Sequence, residues 1–261
     1  MRTATVTKLP PRVVPIVEHI EPAPAKFKVT CASCNLRELC LPSGLCEADL
    51  ERIEQIVYAR RRVRRGDVLF NAGEPFNSVY AIRAGHFKTS VIDSEGREQV
   101  TGFFMGGELL GMDGVGSGQY NGTAVALEDS EVCVMPFSLI EDMSRDVRAL
   151  QRRLHSVLAR EIVRDHGVMM LLGSMRAEER VAAFLLNLSQ RFTARGYSSS
   201  EFYLRMTREE IGSYLGLKLE TVSRVFSRFQ EEGLVSVQQK HIRIQNIPGL
   251  RDLLGGQQRA N

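Results

Sequence analysis

No run in this 261-residue sequence approaches the roughly 20 consecutive apolar residues that span a bilayer, and the N-terminus lacks the apolar core of a secretion signal. A cytoplasmic protein without a membrane partner is expected. Charge imbalance is also lacking: 34 Lys and Arg against 31 Asp and Glu leave a net charge of +3. That is too small to mark a nucleic-acid binder by its global field, so any such function must rest on a local pattern. No glycine-rich phosphate loop precedes a helix, and no nucleophile has an evident base partner, which argues against an enzyme. Cysteine is sparse. Five in a reducing compartment do not make a disulfide framework, so their spacing poses a question of metal or redox chemistry.

The most organised stretch runs from Thr207 to Leu234. Thr207 with Glu210 forms a capping box, Ile211 and Leu215 supply an apolar stripe, and Gly216 allows a tight bend into a second helix. There Val222, Phe226 and Phe229 share one side, while Glu220, Ser223, Arg224 and Ser227 share the other. A merely solvated face fills with interchangeable Lys and Glu. Base reading instead needs short acceptors, hydroxyls and a guanidinium near the helix start. Arg224 suits guanine O6 and N7, Glu220 suits cytosine N4, and Ser223 suits a base or a phosphate. The alternative is an ordinary amphipathic pair. The alternating segment that follows turns around Gln238 to His241 and predicts a two-stranded wing. Lys218 stands where a cap is needed and cannot accept a backbone N–H, so a phosphate contact is expected of it.

Met1 to Val29, with Pro10, Pro11, Pro15, Pro22 and Pro24, offers little for a core. Next come Cys31, Cys34 and Cys40 in a C-x2-C-x5-C pattern, with Cys46 six residues further on. Such a loop can wrap its thiolates around one centre; zinc, an iron–sulfur cluster and a redox disulfide all remain open. Glu47 to Tyr58 reads as a short helix. From Leu50 to Pro136 short alternating runs broken at Gly85 and Asp93–Gly96 predict an antiparallel roll or barrel, with Cys133 between two valines in its last strand. A closed sulfur site needs a fourth ligand from Cys46 or Cys133.

Leu139 to Leu172 is one long helical pattern in which Leu150, Leu154, Leu158, Ile162, Asp165, Met169 and Leu172 recur at three and four residues. Such a seam suits pairing with a second copy; packing on the roll is the alternative. A carboxylate on a two-fold interface faces its twin, so Asp165 makes pairing conditional. A further helix spans Arg176 to Arg195.

Taken together, CASCNLREL followed by CLP, TGFFMGGELLGMDGVGSG, AEERVAAFLLNLSQRF and LETVSRVFSRF resemble the Crp/Fnr superfamily of transcription regulators, and within it the oxygen-sensing Fnr branch. The resemblance covers about Cys31 to Ile244. It implies a 4Fe-4S cluster held by Cys31, Cys34, Cys40 and Cys133, no role for Cys46, and half-site reading of the TTGAT type by Glu220, Ser223 and Arg224. It implies a dimerisation helix over about Val147 to Leu172, so the seam of Leu154, Leu158, Ile162, Asp165 and Met169 is the expected dimer interface, with palindromic double-stranded DNA and RNA polymerase as partners. The cyclic-nucleotide branch of the superfamily is disfavoured, because Gly102 to Leu127 holds no Lys or Arg to neutralise a buried phosphate.

The expected fold is α+β: a flexible arm (1–29), a cluster-binding cysteine loop (30–46), a cyclic-nucleotide-binding-like β-roll (47–138), a dimerisation helix (139–173) and a winged helix-turn-helix (174–261). The expected function is oxygen-responsive regulation in which the cluster controls dimerisation and promoter binding. The alternative is a Crp-like regulator with structural zinc or disulfide cysteines and a small-molecule effector.

Overall fold

The computed structural model describes residues 31–57 and 59–255; the proline-rich arm expected over 1–29 lies outside them. The chain divides into two compact units. One runs to Val91 and resumes over Phe103–Arg153; the other comprises Ile92–Gly102 and the chain from Leu154.

In the first unit the cysteine loop leads into α1 (Glu47–Ile56), which buries Leu50, Ile53 and Ile56. Val57 is already extended, so the helix ends before the expected Tyr58. Strands β1 (Ala59–Val63), β2 (Val68–Phe70), β3 (Ser78–Ala84), β4 (His86–Ile92), β5 (Glu98–Met105), β6 (Leu109–Leu110), β7 (Thr123–Ala126) and β8 (Ser130–Pro136) follow. They form two four-stranded sheets ordered β1-β8-β3-β6 and β2-β7-β4-β5. Between them lie Phe70, Tyr80, Phe87, Phe104 and Tyr120, with Phe70 stacked on Tyr120 at 4.0 Å. Each such side chain, fully buried, contributes roughly 1.5–3 kcal/mol. The roll expected from the alternating runs is therefore present.

The single helix expected over 139–173 is two. α2 (Phe137–Asp146) stops at Val147, which takes an extended conformation (φ −105°, ψ 92°), and α3 (Arg148–Ser174) begins one residue on. Ile140 and Met143 before the break, Val147 at it, and Leu150 and Leu154 after it are all buried. Because the apolar spacing continues across the break, periodicity alone does not reveal it.

In the second unit α4 (Ala177–Thr193) buries Val181, Phe184, Leu185 and Leu188. It is followed by β9 (Glu201–Tyr203), α5 (Arg208–Leu215), α6 (Leu219–Glu231), β10 (Val235–Gln238), β11 (His241–Ile244) and α7 (Ile247–Gly255). The wing has three strands, in the order β10-β11-β9, rather than the expected two. Arg180 ties the helical elements together: its guanidinium donates to the carbonyls of Leu172, Met175 and Leu215 at 2.8, 2.9 and 2.9 Å, satisfying orphan carbonyls at helix ends.

Candidate metal centre and nucleic-acid interface

The cysteine loop is wound in successive tight turns: the Cys34 amide donates to the Cys31 carbonyl, and the Cys40 amide to those of Leu36 and Arg37. This winding turns Cys31, Cys34 and Cys40 the same way. They line one cavity of about 40 Å³ together with Cys133, Leu36, Arg37, Ile53, Ala81, Arg83 and Met135. One water needs roughly 10–15 Å³ of such volume, so the space holds more than one atom. Among the described residues no three His, Cys, Asp or Glu approach closely enough to hold a single ion. Cys46 takes no part. It is exposed, precedes α1, and donates its Sγ–H to Asp49 Oδ2 at 3.2 Å.

Cys133 reaches the cavity because β8 is the second strand of its sheet, with Arg60 of β1 paired to it on one side and Ala81 of β3 on the other. Cross-strand partners share a face, so a cationic side chain flanks this thiol. The loop is seated on the turn after β5. A Cβ on Gly107, whose φ is +86°, would lie 2.8 Å from Leu39 Cβ, and one on Gly106 would lie 2.9 Å from Leu36 Cδ1. At Gly107, where the neighbour is a Cβ that cannot rotate aside, only a residue without a Cβ permits this approach; at Gly106 the neighbour is the rotatable tip of Leu36.

Burial pushes the Cys31 and Cys40 thiols up to about 12, with the neighbouring thiols, Cys133 foremost, adding to the effect. Cys133 is raised too, chiefly by burial, while Arg60 and Arg83 oppose the rise. Four thiols mutually repelled as thiolates are a donor set that a soft, positively charged centre stabilises.

The second constellation is α6. Thr207 accepts from the Glu210 amide at 3.1 Å and Glu210 from the Thr207 amide at 2.7 Å, so the capping box is formed. Gly216 closes α5 in the left-handed region at φ 62°. On α6 Val222, Val225, Phe226 and Phe229 are buried, leaving Glu220, Ser223, Arg224 and Ser227 exposed. Lys218 precedes the helix without a side-chain cap. Arg228, by contrast, is engaged by Glu232 at 2.8 Å and Glu178 at 3.1 Å and serves the fold.

One residue stands out only in the structure. Arg208 lies 3.5 Å over the Phe226 ring, its Nη1 is buried without a hydrogen-bond partner, and burial lowers its pKa to about 10. Sequence spacing cannot reveal this, since α5 and α6 must pack before the stack exists.

The seam residues differ in exposure. Leu154 is buried and Leu158 half-buried, whereas Ile162, Asp165 and Met169 are exposed, as are Val163 and Met170.

An antiparallel roll of two sheets, followed by helices and a capped helix pair with a wing, defines a helix-turn-helix transcription regulator with a sensor-type N-terminal domain. Residues 60–146 match the cyclic nucleotide-binding domain, and residues 179–253 match the Crp-like helix-turn-helix domain. The chain is 48% identical to the transcriptional regulatory protein btr of Bordetella pertussis over 86% of this chain and 93% of that protein. It is 45% identical to the transcriptional activator protein anr of Pseudomonas aeruginosa, over 87% and 93% respectively. For the fumarate and nitrate reduction regulatory protein of Escherichia coli the figures are 42%, 87% and 91%. Among solved structures, FixK2 from Bradyrhizobium japonicum matches with a TM-score of 0.69 at 30% identity, over 75% of this chain and 96% of that one. The chain belongs to the Crp/Fnr family of transcription regulators; it is not an enzyme. No helix among the described residues is long and apolar enough to cross a membrane.

Proposed function

We propose that this regulator responds to oxygen through a 4Fe-4S cluster held by Cys31, Cys34, Cys40 and Cys133, and that the cluster controls dimerisation and promoter binding. The observation that carries the reading is the lining of one cavity by three thiols of a short loop and a fourth from β8. Sulfur donors in this number suit an iron–sulfur cluster, and the cavity has room for more than a single ion. When bound, such a cluster supplies a redox-active centre labile to oxygen. The relatives named for fumarate and nitrate reduction support the same physiological direction.

The chain's own residues account for the remainder. Thiolates held at one centre restrict the loop and tie it to β8. The exposed Ile162, Val163, Met169 and Met170 offer α3 an apolar surface for a second copy. Asp165, exposed among them, faces its twin in a symmetric pair, so pairing stays weak unless the helix is favourably held. Two copies present two α6 helices to half-sites about one DNA turn apart, roughly 34 Å. Glu220, Ser223 and Arg224 then face base edges, and Lys218 a phosphate. At the promoter RNA polymerase is the further partner.

Anaerobic purification tests the reading. Iron and acid-labile sulfide in equal amounts, with dimers that dissociate in air, are expected. A colourless zinc protein whose oligomeric state ignores air would reject it in favour of structural cysteines and a small-molecule effector.

A further inference from the structure

Arg153 is a half-buried cation used neither by the thiol cavity nor by the recognition helix. From the second turn of α3 it reaches the cysteine loop. Its Nε donates to the Cys40 carbonyl at 3.2 Å, and its Nη2 donates to the same carbonyl at 2.8 Å and to the Leu39 carbonyl at 3.0 Å. A guanidinium forked across two adjacent carbonyls fixes direction as well as distance, which a single ammonium does not.

The acceptors belong to residues whose positions are set by other contacts. Cys40 turns its thiol into the cavity, and Leu39 is seated on Gly107. Reorienting Cys40 therefore moves what Arg153 holds. Arg153 also directly precedes Leu154, and α3 runs unbroken from there past Leu158, Ile162, Asp165 and Met169 to Ser174. A helix transmits a shift at one turn along its length because each turn is hydrogen-bonded to the next.

We infer that Arg153 is the positioning residue through which the state of the cysteine loop sets the pairing surface of α3. The inference rests on the reading that these thiols hold a metal centre and that α3 pairs. With the loop held, the Leu39 and Cys40 carbonyls stay in place and anchor α3. With the loop loose, that anchor is lost and the helix settles where repulsion at Asp165 decides.

The test uses the full-length protein, wild type and Arg153→Ala, prepared without air. Iron, sulfide and the dimer dissociation constant by sedimentation are measured before and after air is admitted. Arg153→Ala should keep the wild-type iron and sulfide. The ratio of its two dimer constants, roughly tenfold or more in wild type, should fall to within about threefold of unity. A residue that merely packs would weaken both states alike and leave the ratio intact, which would overturn the inference. Loss of iron in the variant would also overturn it, since Arg153 would then hold the loop rather than transmit its state. Arg153→Lys, reaching one carbonyl at a time, should give an intermediate ratio. A wild type without iron or without a response to air refutes the cluster-controlled dimerisation instead. In that case amide exchange of the metal-free chain still decides the contact. Ser43, whose amide also donates to the Cys40 carbonyl, should exchange faster in Arg153→Ala, and unchanged exchange would refute the anchor.

Discussion

Replacing Gly107 with Ala should unseat the cysteine loop while leaving the roll folded. Two costs add. A non-glycine residue at φ +86° is strained by about 1–2 kcal/mol. The new methyl would stand 2.8 Å from Leu39 Cβ, where carbon atoms ordinarily sit about 3.5–4.0 Å apart. Leu39 Cβ is fixed to the backbone beside Cys40 and cannot rotate aside, so relief requires moving the loop, at an overpacking cost of about 1–3 kcal/mol. The two costs total roughly 2–5 kcal/mol, and lifting the loop off is the cheaper escape because Leu36 and Leu39 are only half-buried. Retention of iron by the anaerobic protein, titrated against a chelator, should weaken at least roughly thirtyfold. Gly73→Ala is the control: its φ is +83° but nothing lies within 4 Å of the added carbon, so only the backbone cost applies, and it falls on the roll instead. If Gly107→Ala kept iron as well as Gly73→Ala, and amides of residues 36–41 exchanged as in wild type, the close approach would not be what seats the loop.

Further outcomes follow from the same geometry. Arg224→Ala should weaken binding to a palindromic site by about 1–3 kcal/mol and relax discrimination at one base pair; equal loss on every sequence in a competition assay would make Arg224 a phosphate contact instead. Asp165→Ala should tighten dimers in air at least roughly fivefold, from the loss of about 1 kcal/mol or more of like-charge repulsion; an aerobic variant that sediments as a monomer rejects this. The wing should loosen in acid. Arg243, bonded at 3.1 and 3.2 Å, and His241, at 2.8 Å, hold Glu201 below the usual glutamate range. A carboxylate with a depressed folded pKa stabilises above its unfolded pKa and stops doing so as pH falls through the lower folded value. The protection of the β9 amides, with the intrinsic pH dependence of exchange divided out, should therefore fall over that interval in wild type, and Glu201→Gln should remove the dependence; protection that fell on raising the pH instead would contradict it.

What the sequence made legible was whatever local chemistry writes. The capping box at Thr207 and Glu210, the buried Val222, Phe226 and Phe229 and the exposed face carrying Arg224 are spaced by the helix itself, and they fall where that spacing puts them. The roll was legible from alternation and turns. The break at Val147 was not, because apolar spacing continues through it. Strand β9 has three residues and gains its place by pairing with β11 and by the stacking of its Phe202 on Phe192, and α7 follows a polar turn in which the Asn246 side chain caps Gly249. At the thiol cavity, spacing pointed to Cys31, Cys34 and Cys40, but the choice of Cys133 over Cys46 came from family resemblance. The seat on Gly107 and the reach of Arg153 join residues far apart in the chain, and no periodicity records such contacts.

Cys133 and the three loop thiols are proposed to act at one centre. Iron and sulfide content of anaerobically prepared Cys133→Ser, beside Cys46→Ser and wild type, tests this most directly. Near-complete loss of both elements in Cys133→Ser, with wild-type content in Cys46→Ser, is predicted. Wild-type content in Cys133→Ser, or loss in Cys46→Ser alone, would contradict it.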